Sequence, residues 1–221
     1  MSMDSGDSRT ATDEPGEASG DRRAVEPRDV ASLVLRARRG PRLKYVFFWG
    51  HREPREGVDS GCLSQWYPSP FTVDGVSYRT AEHWMMAGKA RMFGDADAER
   101  RVLAAGHPKT AKTIGRQVRG FDERRWVDER FELIVAGNVA KFGQHPAMAA
   151  FLLGTGQRVL VEASPLDRIW GIGLAADDER AADPERWRGL NLLGFALMEA
   201  RARLAGSTDH ASESGPDPSS R

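Results

Sequence analysis

Apolar and polar residues alternate in a way that divides the central part of the chain into many helical segments and a few short strands. Residues 45–50 and 158–164 are runs of β-favouring residues typical of buried strands. Residues 71–80, FTVDGVSYRT, place Asp-Gly between two short apolar stretches, which predicts a hairpin. This pattern indicates an α+β fold: a compact single domain, mostly helical, with a few short strands.

Capping and helix-stopping residues give the expected bounds of the helices. Thr80 is placed as an N-cap, Gly94 as a stop and Asn191 as the N-cap of the last helix. Pro108 begins a helix of its own. Helices are predicted over residues 30–39, 80–94, 95–105, 108–118, 121–142, 146–153 and 191–204.

Composition changes sharply at both ends of the chain. Residues 1–28 and residues 206–221 are rich in Ser, Gly, Asp, Glu, Pro and Arg, so we predict two disordered tails. No Pro/Gly/Ser-rich linker divides residues 41–205, which we predict to form one domain of the 221-residue chain.

Charge and cysteine content narrow the classes of partner and compartment. The chain carries 32 Lys+Arg and 32 Asp+Glu, which argues against a partner held mainly through its phosphates, such as duplex DNA. Cys62 is the single cysteine, so no intrachain disulfide is possible and a reducing compartment is expected. Neither a membrane-spanning apolar run nor a secretory signal is recognisable, and the sequence predicts a cytoplasmic protein without a membrane partner.

Two charged residues of TAEHWMMAGKARMFG fall on the apolar side of the predicted helix. Glu82 and Lys89 project in nearly the same direction, about 10 Å apart along the axis, with Met85 and Met86 on either side. A buried charge without a partner is costly, so these side chains either snorkel and pair elsewhere or line a polar pocket. We favour the pocket. His83 points to the opposite arc and is expected at the surface.

A second cluster follows the predicted strand that ends near Glu162. The loop supplies Asp167, Trp170 and Gly171, and glycine-flanked loops at strand ends allow close approach of a ligand. A carboxylate and an indole suit a sugar or a nucleotide. The alternative is a tight turn in which Asp167 binds backbone and Trp170 packs in the core.

Two further stretches carry polar candidates. SQWYPSPF offers Ser64, Gln65 and Trp66 for hydrogen bonding and stacking, or forms a loop that closes one end of the core. GNVAKFGQ places Asn138 and Lys141 near a helix end, where either could face a ligand or solvent. The histidines lack metal-ligand spacing, and no P-loop, GxSxG or Cys–His motif occurs, so neither a metal nor a cofactor is predicted.

Five blocks, in one order across residues 45–204, resemble the NADAR, or YbiA-like, family. The blocks are LSQWYPSPFTVDGVSYRTAEHWMMAGKA, HPKTAKTIGRQV, ERRWVDERFELIVAGNVAKFGQHPAMAAFLLGTGQRVLVEAS, DRIWGIG and GLNLLGFALMEARARL. The resemblance implies a compact, mostly helical α+β domain and an N-glycosidase acting on ribosyl compounds. Its bacterial members cleave phosphoribosyl pyrimidine intermediates of riboflavin biosynthesis, and others remove ADP-ribose from guanine in nucleic acid.

The resemblance also implies roles for particular residues. The family's elements fall on these residues: EHxxxxxK on Glu82, His83 and Lys89, D-x-x-W-G on Asp167, Trp170 and Gly171, and S-x-[FW] on Ser64 and Trp66. For Lys89 we consider two roles, as a Schiff-base amine or as a phosphate ligand. MMAGKA replaces the bulkier FQAQKF, a departure expected to widen the pocket. The candidate catalytic residues are Glu82, Lys89 and Asp167, and the candidate substrate-binding residues are Ser64, Gln65, Trp66, His83, Asn138, Trp170 and Gly171.

The expected substrate is thus a small phosphoribosyl compound. The alternatives are an ADP-ribosyl-guanine glycohydrolase, for which ADP-ribosylated nucleic acid is the substrate, and a non-catalytic module that binds ADP-ribose or a related nucleotide. The same pocket serves all three.

Overall fold

The computed structural model describes residues 26–213, and side chains only as far as residue 207. Residues 1–25 of the first predicted tail and residues 214–221 of the second lie outside the described residues. The helices are α1 (Val30–Arg39), α2 (Ala81–Met92), α3 (Ala96–Ala104), α4 (Pro108–Gly115), α5 (Glu123–Gly143), α6 (Pro146–Gly154) and α7 (Leu192–Glu213). The strands are β1 (Tyr45–Phe48), β2 (Phe71–Val73), β3 (Val76–Tyr78) and β4 (Val159–Glu162). The predicted α+β class, mostly helical with few short strands, is confirmed.

The four strands form two separate pairs. β1 and β4 are parallel, with Tyr45 opposite Val159 and Phe48 opposite Glu162. β2 and β3 form the predicted antiparallel hairpin, and both residues of its turn, Asp74 and Gly75, have positive φ. Because parallel strands run in one direction, the carboxyl ends of β1 and β4 lie at the same edge, where Glu162 ends β4.

Helix α2 lies inside the domain rather than on its surface. It packs against α3, α4 and α5, and Thr80 caps it by accepting a hydrogen bond from the backbone N–H of His83. Nine of its twelve residues are buried, from Ala81 to Gly88 and Ala90. A helix enclosed on nearly every side has no single apolar stripe, so its arcs cannot be assigned to core and solvent from sequence alone.

Two glycines allow α2 and α5 to cross closely. A Cβ atom at Gly88 would lie 2.6 Å from Cδ1 of Leu133, and one at Gly137 would lie 2.2 Å from Cδ1 of Trp84. Trp84 also donates a hydrogen bond from Nε1 to the carbonyl oxygen of Leu133, at 2.8 Å. The expected widening of the pocket by MMAGKA is therefore wrong for Gly88, which faces α5.

Helix α7 begins directly after Asn191, as predicted, but extends beyond its predicted C-terminal end. It continues past Leu204 to Glu213, so residues 206–213 of the predicted tail are helical. Asn191 precedes the helix with φ of 50°. Its side chain binds β4 instead of capping α7: Oδ1 accepts from the backbone N–H of Glu162, and Nδ2 donates to the carbonyl oxygen of Leu160.

Candidate active site

Several predicted site residues converge on one small cavity of about 50 Å³, which we call the carboxyl cavity. Three carboxyl groups line it: Glu82 from the first turn of α2, Glu162 from the end of β4, and Asp167 from the following loop. Lys112 of α4 is the cation among its lining residues. The remaining lining residues are Ser64, Gln65, Trp66, Trp170 and Leu193.

Glu82 presents a buried carboxyl group to this cavity. Its side chain is 2% exposed, and Oε1 has no hydrogen-bond partner among the described residues. Burial raises the pKa of Glu82 to about 7, against the opposing effects of Lys112 and Trp66. The backbone N–H of Glu82 donates to the carbonyl oxygen of Gln65 at 2.9 Å, which joins the start of α2 to the Ser64–Trp66 loop.

Glu162 is a second buried carboxyl group in the cavity, and we did not select it from the sequence. Its Oε2 has no hydrogen-bond partner in the described part of the chain. Burial and, to a smaller extent, the charges of Asp167 and Glu82 raise its pKa to about 8, against the opposing charge of Lys112. An acidic residue at the carboxyl end of a buried strand was the available signal, because such ends often border a ligand site.

Asp167 forms the tight turn that was one of its two predicted alternatives, and it also lines the carboxyl cavity. Its Oδ1 accepts hydrogen bonds from the backbone N–H groups of Ile169 and Trp170, at 2.9 and 2.8 Å, as in a tight turn. Asp167 and Trp170 nevertheless both line the carboxyl cavity. The turn therefore fixes the carboxylate in place at the cavity wall.

A buried lysine holds the loop that carries Ser64, Gln65 and Trp66. Lys141 is fully buried, and its Nζ donates to the carbonyl oxygens of Cys62 and Ser64, at 2.7 and 2.9 Å. Of the two positions considered for Lys141, facing a ligand or facing solvent, the solvent-facing one is wrong, because packing of α5 against this loop encloses the side chain. Burial lowers its pKa to about 7.

Asn138 supports this loop from behind. It is fully buried and does not line the carboxyl cavity, and its Oδ1 accepts a hydrogen bond from Nε2 of Gln65 at 3.2 Å. Its Nδ2 donates to the carbonyl oxygen of Ile134. The structure thus places Asn138 as a residue that positions Gln65, away from the predicted contact with substrate.

His83 and Gly171 also lie outside the cavity linings. His83 is 1% exposed, with Nδ1 2.8 Å from Oγ1 of Thr80 and Nε2 3.0 Å from the carbonyl oxygen of Ala105. The expected surface position is wrong because α3 and its connection to α4 cover that arc of α2. Gly171 is packed so tightly that a Cβ atom would lie 2.7 Å from the carbonyl oxygen of Glu162.

Lys89 lies in a neighbouring cavity of about 200 Å³, which we call the cationic cavity. Its Nζ is 4.0 Å from the ring centroid of Phe121 and 5.3 Å from that of Trp126. Lys112 and Trp170 line both this cavity and the carboxyl cavity. Glu82 and Lys89 therefore face adjoining cavities instead of one pocket.

The largest cavity, about 810 Å³, lies elsewhere, between the C-terminal ends of α1 and α6 and the segment before β1. It shares no lining residue with the carboxyl or the cationic cavity. Size alone does not mark the site here, since the buried carboxyl groups without partners lie in the small cavity. Among the residues that the structure describes, no group of His, Cys, Asp and Glu could hold a metal ion.

Residues 47–205 match the family model of the NADAR domain. The chain belongs to the NADAR family. N-glycosidase R617 of Acanthamoeba polyphaga mimivirus is 40% identical over 163 residues, covering 72% of this chain and 95% of that protein. N-glycosidase YbiA of Escherichia coli (strain K12) is 31% identical over 147 residues, covering 66% of this chain and 83% of YbiA.

Two further similarities concern fold and pathway. The NMR structure of E. coli YbiA matches with a TM-score of 0.58 and 25% identity, over 80% of this chain and 92% of that one. The riboflavin biosynthesis protein VVA0006 of Vibrio vulnificus is 32% identical over 159 residues, 72% of this chain but 38% of that protein. The predicted NADAR membership and N-glycosidase class of enzyme are confirmed by these relatives. Over the described ranges, none of the NADAR domain's helices could cross a membrane.

Proposed function

We propose that this NADAR domain hydrolyses the C–N bond of ribosylated bases, with the phosphoribosyl pyrimidine intermediates of riboflavin biosynthesis as its substrates. The observation that carries the proposal is the meeting of Glu82, Glu162 and Asp167 at one small cavity bordered by two tryptophans. The relative named a riboflavin biosynthesis protein supports the choice of substrate.

Breaking a ribosyl C–N bond builds positive charge at the anomeric carbon, so a buried carboxylate beside that carbon stabilises the transition state. We assign this role to Glu82, whose Oε1 has no competing hydrogen bond within the described residues. Asp167, held by its turn, orients the ribose hydroxyls or accepts a proton from the attacking water.

The departing base needs a proton as it takes up the bonding electron pair. Glu162 suits this role because its raised pKa, about 8, keeps the carboxyl group protonated at neutral pH. The water oxygen then bonds to the anomeric carbon, and the products are a free base and ribose 5-phosphate. Trp66 and Trp170 border the cavity and would stack on the base.

Lys89 has two proposed roles that one experiment separates. Its amine either traps the opened sugar as a Schiff base or contributes to holding a phosphate. Burial lowers the pKa of Lys89, which favours a neutral amine. Borohydride treatment during turnover would leave a covalent ribose adduct on Lys89 in the first case and no adduct in the second.

The test of function is a panel of substrates. The protein is incubated with phosphoribosyl pyrimidine intermediates and, separately, with DNA carrying ADP-ribosylated guanine, and released base is measured. Release from the first substrate alone supports the proposal, whereas release from DNA alone identifies an ADP-ribosyl-guanine glycohydrolase. Binding without any release identifies a non-catalytic reader.

The Glu82→Gln variant tests the assigned carboxylate. We expect a loss of about 100-fold or more in kcat, because the amide cannot supply the negative charge. Glu56→Gln, at an exposed glutamate, is the matched control and should retain full turnover. Near-normal turnover by Glu82→Gln would overturn the assignment.

A further inference from the structure

The charged residues that line the cationic cavity are all of one sign. The charged residues that line it are Lys89, Lys112, Arg116 and Arg130, and all four are basic. Its remaining lining is apolar or aromatic apart from Gly115. A cavity with this lining favours an anionic ligand with an apolar neighbour.

Within the described residues, none of the four basic side chains has a carboxylate partner. In the described part of the chain, no side-chain nitrogen of the four donates a hydrogen bond or forms an ion pair. Other arginines are paired with carboxylates, as in Arg119 with Asp95 and Arg180 with Asp178. Burial lowers the pKa values of Lys89 and Arg130 against the opposing charge of Glu123, which forms no salt bridge with either.

Arg130 is the decisive member of this group. It is 7% exposed, and its guanidinium carbon lies 5.9 Å from the ring centroid of Trp170. A guanidinium remains charged in proteins, and burying it without a counter-charge is unfavourable. Arg130 therefore presents a buried, unpaired donor group at a cavity, which is the arrangement expected of an anion site.

The position of the cavity identifies the anion. Lys112 and Trp170 belong to both cavities, so an anion in the cationic cavity lies beside the ligand held in the carboxyl cavity. The carboxylate of Asp167 and an ionised Glu82 would repel a phosphate from their own cavity. The anion must therefore be joined to the sugar but held apart from the carboxyl groups.

We propose that the cationic cavity is a phosphate-binding subsite in which Arg130, Arg116 and Lys112 bind the phosphate group of the substrate's sugar. This inference rests on the proposed function, since it assumes that the ribosyl group occupies the carboxyl cavity. Arginine is suited to the task because its planar donors match phosphate oxygens in pairs. The subsite selects phosphorylated over unphosphorylated ribosides.

Calorimetric binding of products tests the subsite without turnover. We expect the wild-type protein to bind ribose 5-phosphate at least about 10-fold more tightly than ribose. Arg116→Ala and Arg130→Gln should each remove most of this difference, with ribose binding unchanged. Arg116 is exposed, so its variant remains informative even if Arg130→Gln unfolds. Arg42→Ala, in the largest cavity, is the matched control and should keep the full preference.

Each outcome is decisive for the subsite. Equal binding of ribose and ribose 5-phosphate by the wild-type protein, or an unchanged preference in Arg116→Ala, would overturn it. ADP-ribose as a third ligand separates a monophosphate from a diphosphate, because a subsite made for the diphosphate would bind ADP-ribose more tightly than ribose 5-phosphate. Phosphate-dependent binding without base release would remove the proposed reaction and leave the subsite standing, and base release without phosphate preference would do the reverse.

Discussion

The Nζ atom of Lys141 lies 2.9 Å from the carbonyl oxygen of Ser64, inside the core and without a carboxylate partner among the described residues. A buried ammonium thus fixes the backbone at the start of the loop that lines the carboxyl cavity. Replacing it with methionine should leave the carbonyl oxygen of Cys62 without its donor and that of Ser64 with the backbone N–H of Tyr67 alone. We expect the Lys141→Met variant to lose about 10-fold or more in kcat/KM as the loop shifts.

The pH dependence of stability provides an independent readout for Lys141. Burial lowers its pKa to about 7 from 10.5, so between these values the unfolded chain binds more protons at this residue than the folded protein does. The contribution of Lys141 to the free energy of unfolding therefore rises with pH, by up to ~1.4 kcal/mol per pH unit. Urea unfolding at pH 7 and pH 9 should show this rise in the wild-type protein but not in Lys141→Met. An identical rise in both would contradict the lowered pKa of Lys141.

Glu162 should act as the protonated partner of an ionised Glu82. With pKa values of about 7 for Glu82 and about 8 for Glu162, the wild-type kcat should rise through the lower value and fall through the higher one. The two values belong to the interacting pair rather than to either residue alone. Glu162→Gln cannot transfer a proton, and we expect about 10²- to 10⁴-fold slower turnover without the alkaline limb. Rate measurements from pH 5 to pH 10 check this, and an intact alkaline limb in the variant would exclude Glu162 as the acid.

The local pattern of the sequence located much of the site but not its full set of charges. The family elements pointed to Glu82, Asp167 and Trp170, which the structure brings to one cavity. Glu162 and Lys112 were missed because they come from β4 and α4. Their approach to Glu82 depends on how these elements pack, and periodicity within one helix contains no information about that.

The burial of Lys141 and of His83 was also not predictable from the local sequence pattern. A charged residue near a helix end is usually solvated, but here the loop at residues 62–64 covers Lys141. His83 was predicted at the surface because a helical wheel assigns one arc of a helix to the core and the opposite arc to solvent. That assumption fails for α2, which has neighbours on opposite sides.

The buried position of His83 predicts a structural effect of its loss. His83→Phe removes the imidazole partner of the carbonyl oxygen of Ala105 and that of Oγ1 of Thr80, which keeps only the backbone N–H of residue 83. We expect the free energy of unfolding to fall by about 1–3 kcal/mol, while KM and the pH profile of kcat remain unchanged. Urea denaturation and steady-state kinetics on the same sample provide the test. A large rise in KM at full stability would restore His83 as a substrate ligand.

We expect two Gly→Ala changes to have different effects on the free energy of unfolding, because Gly137 lies where α2 and α5 cross and Gly154 lies outside that crossing. Alanine in place of a helical glycine normally stabilises a helix, by up to about 1 kcal/mol. At Gly137 the new Cβ would lie 2.2 Å from the indole of Trp84, which is rigid and held by its hydrogen bond to Leu133. Gly137→Ala should therefore lower the free energy of unfolding by about 1–3 kcal/mol as the helices separate. At Gly154, the last residue of α6, a Cβ meets nothing within 4 Å, so Gly154→Ala should be neutral or stabilising. Thermal unfolding of both variants tests this. Equal shifts in Tm would mean that Gly137 does not determine how closely α2 and α5 pack.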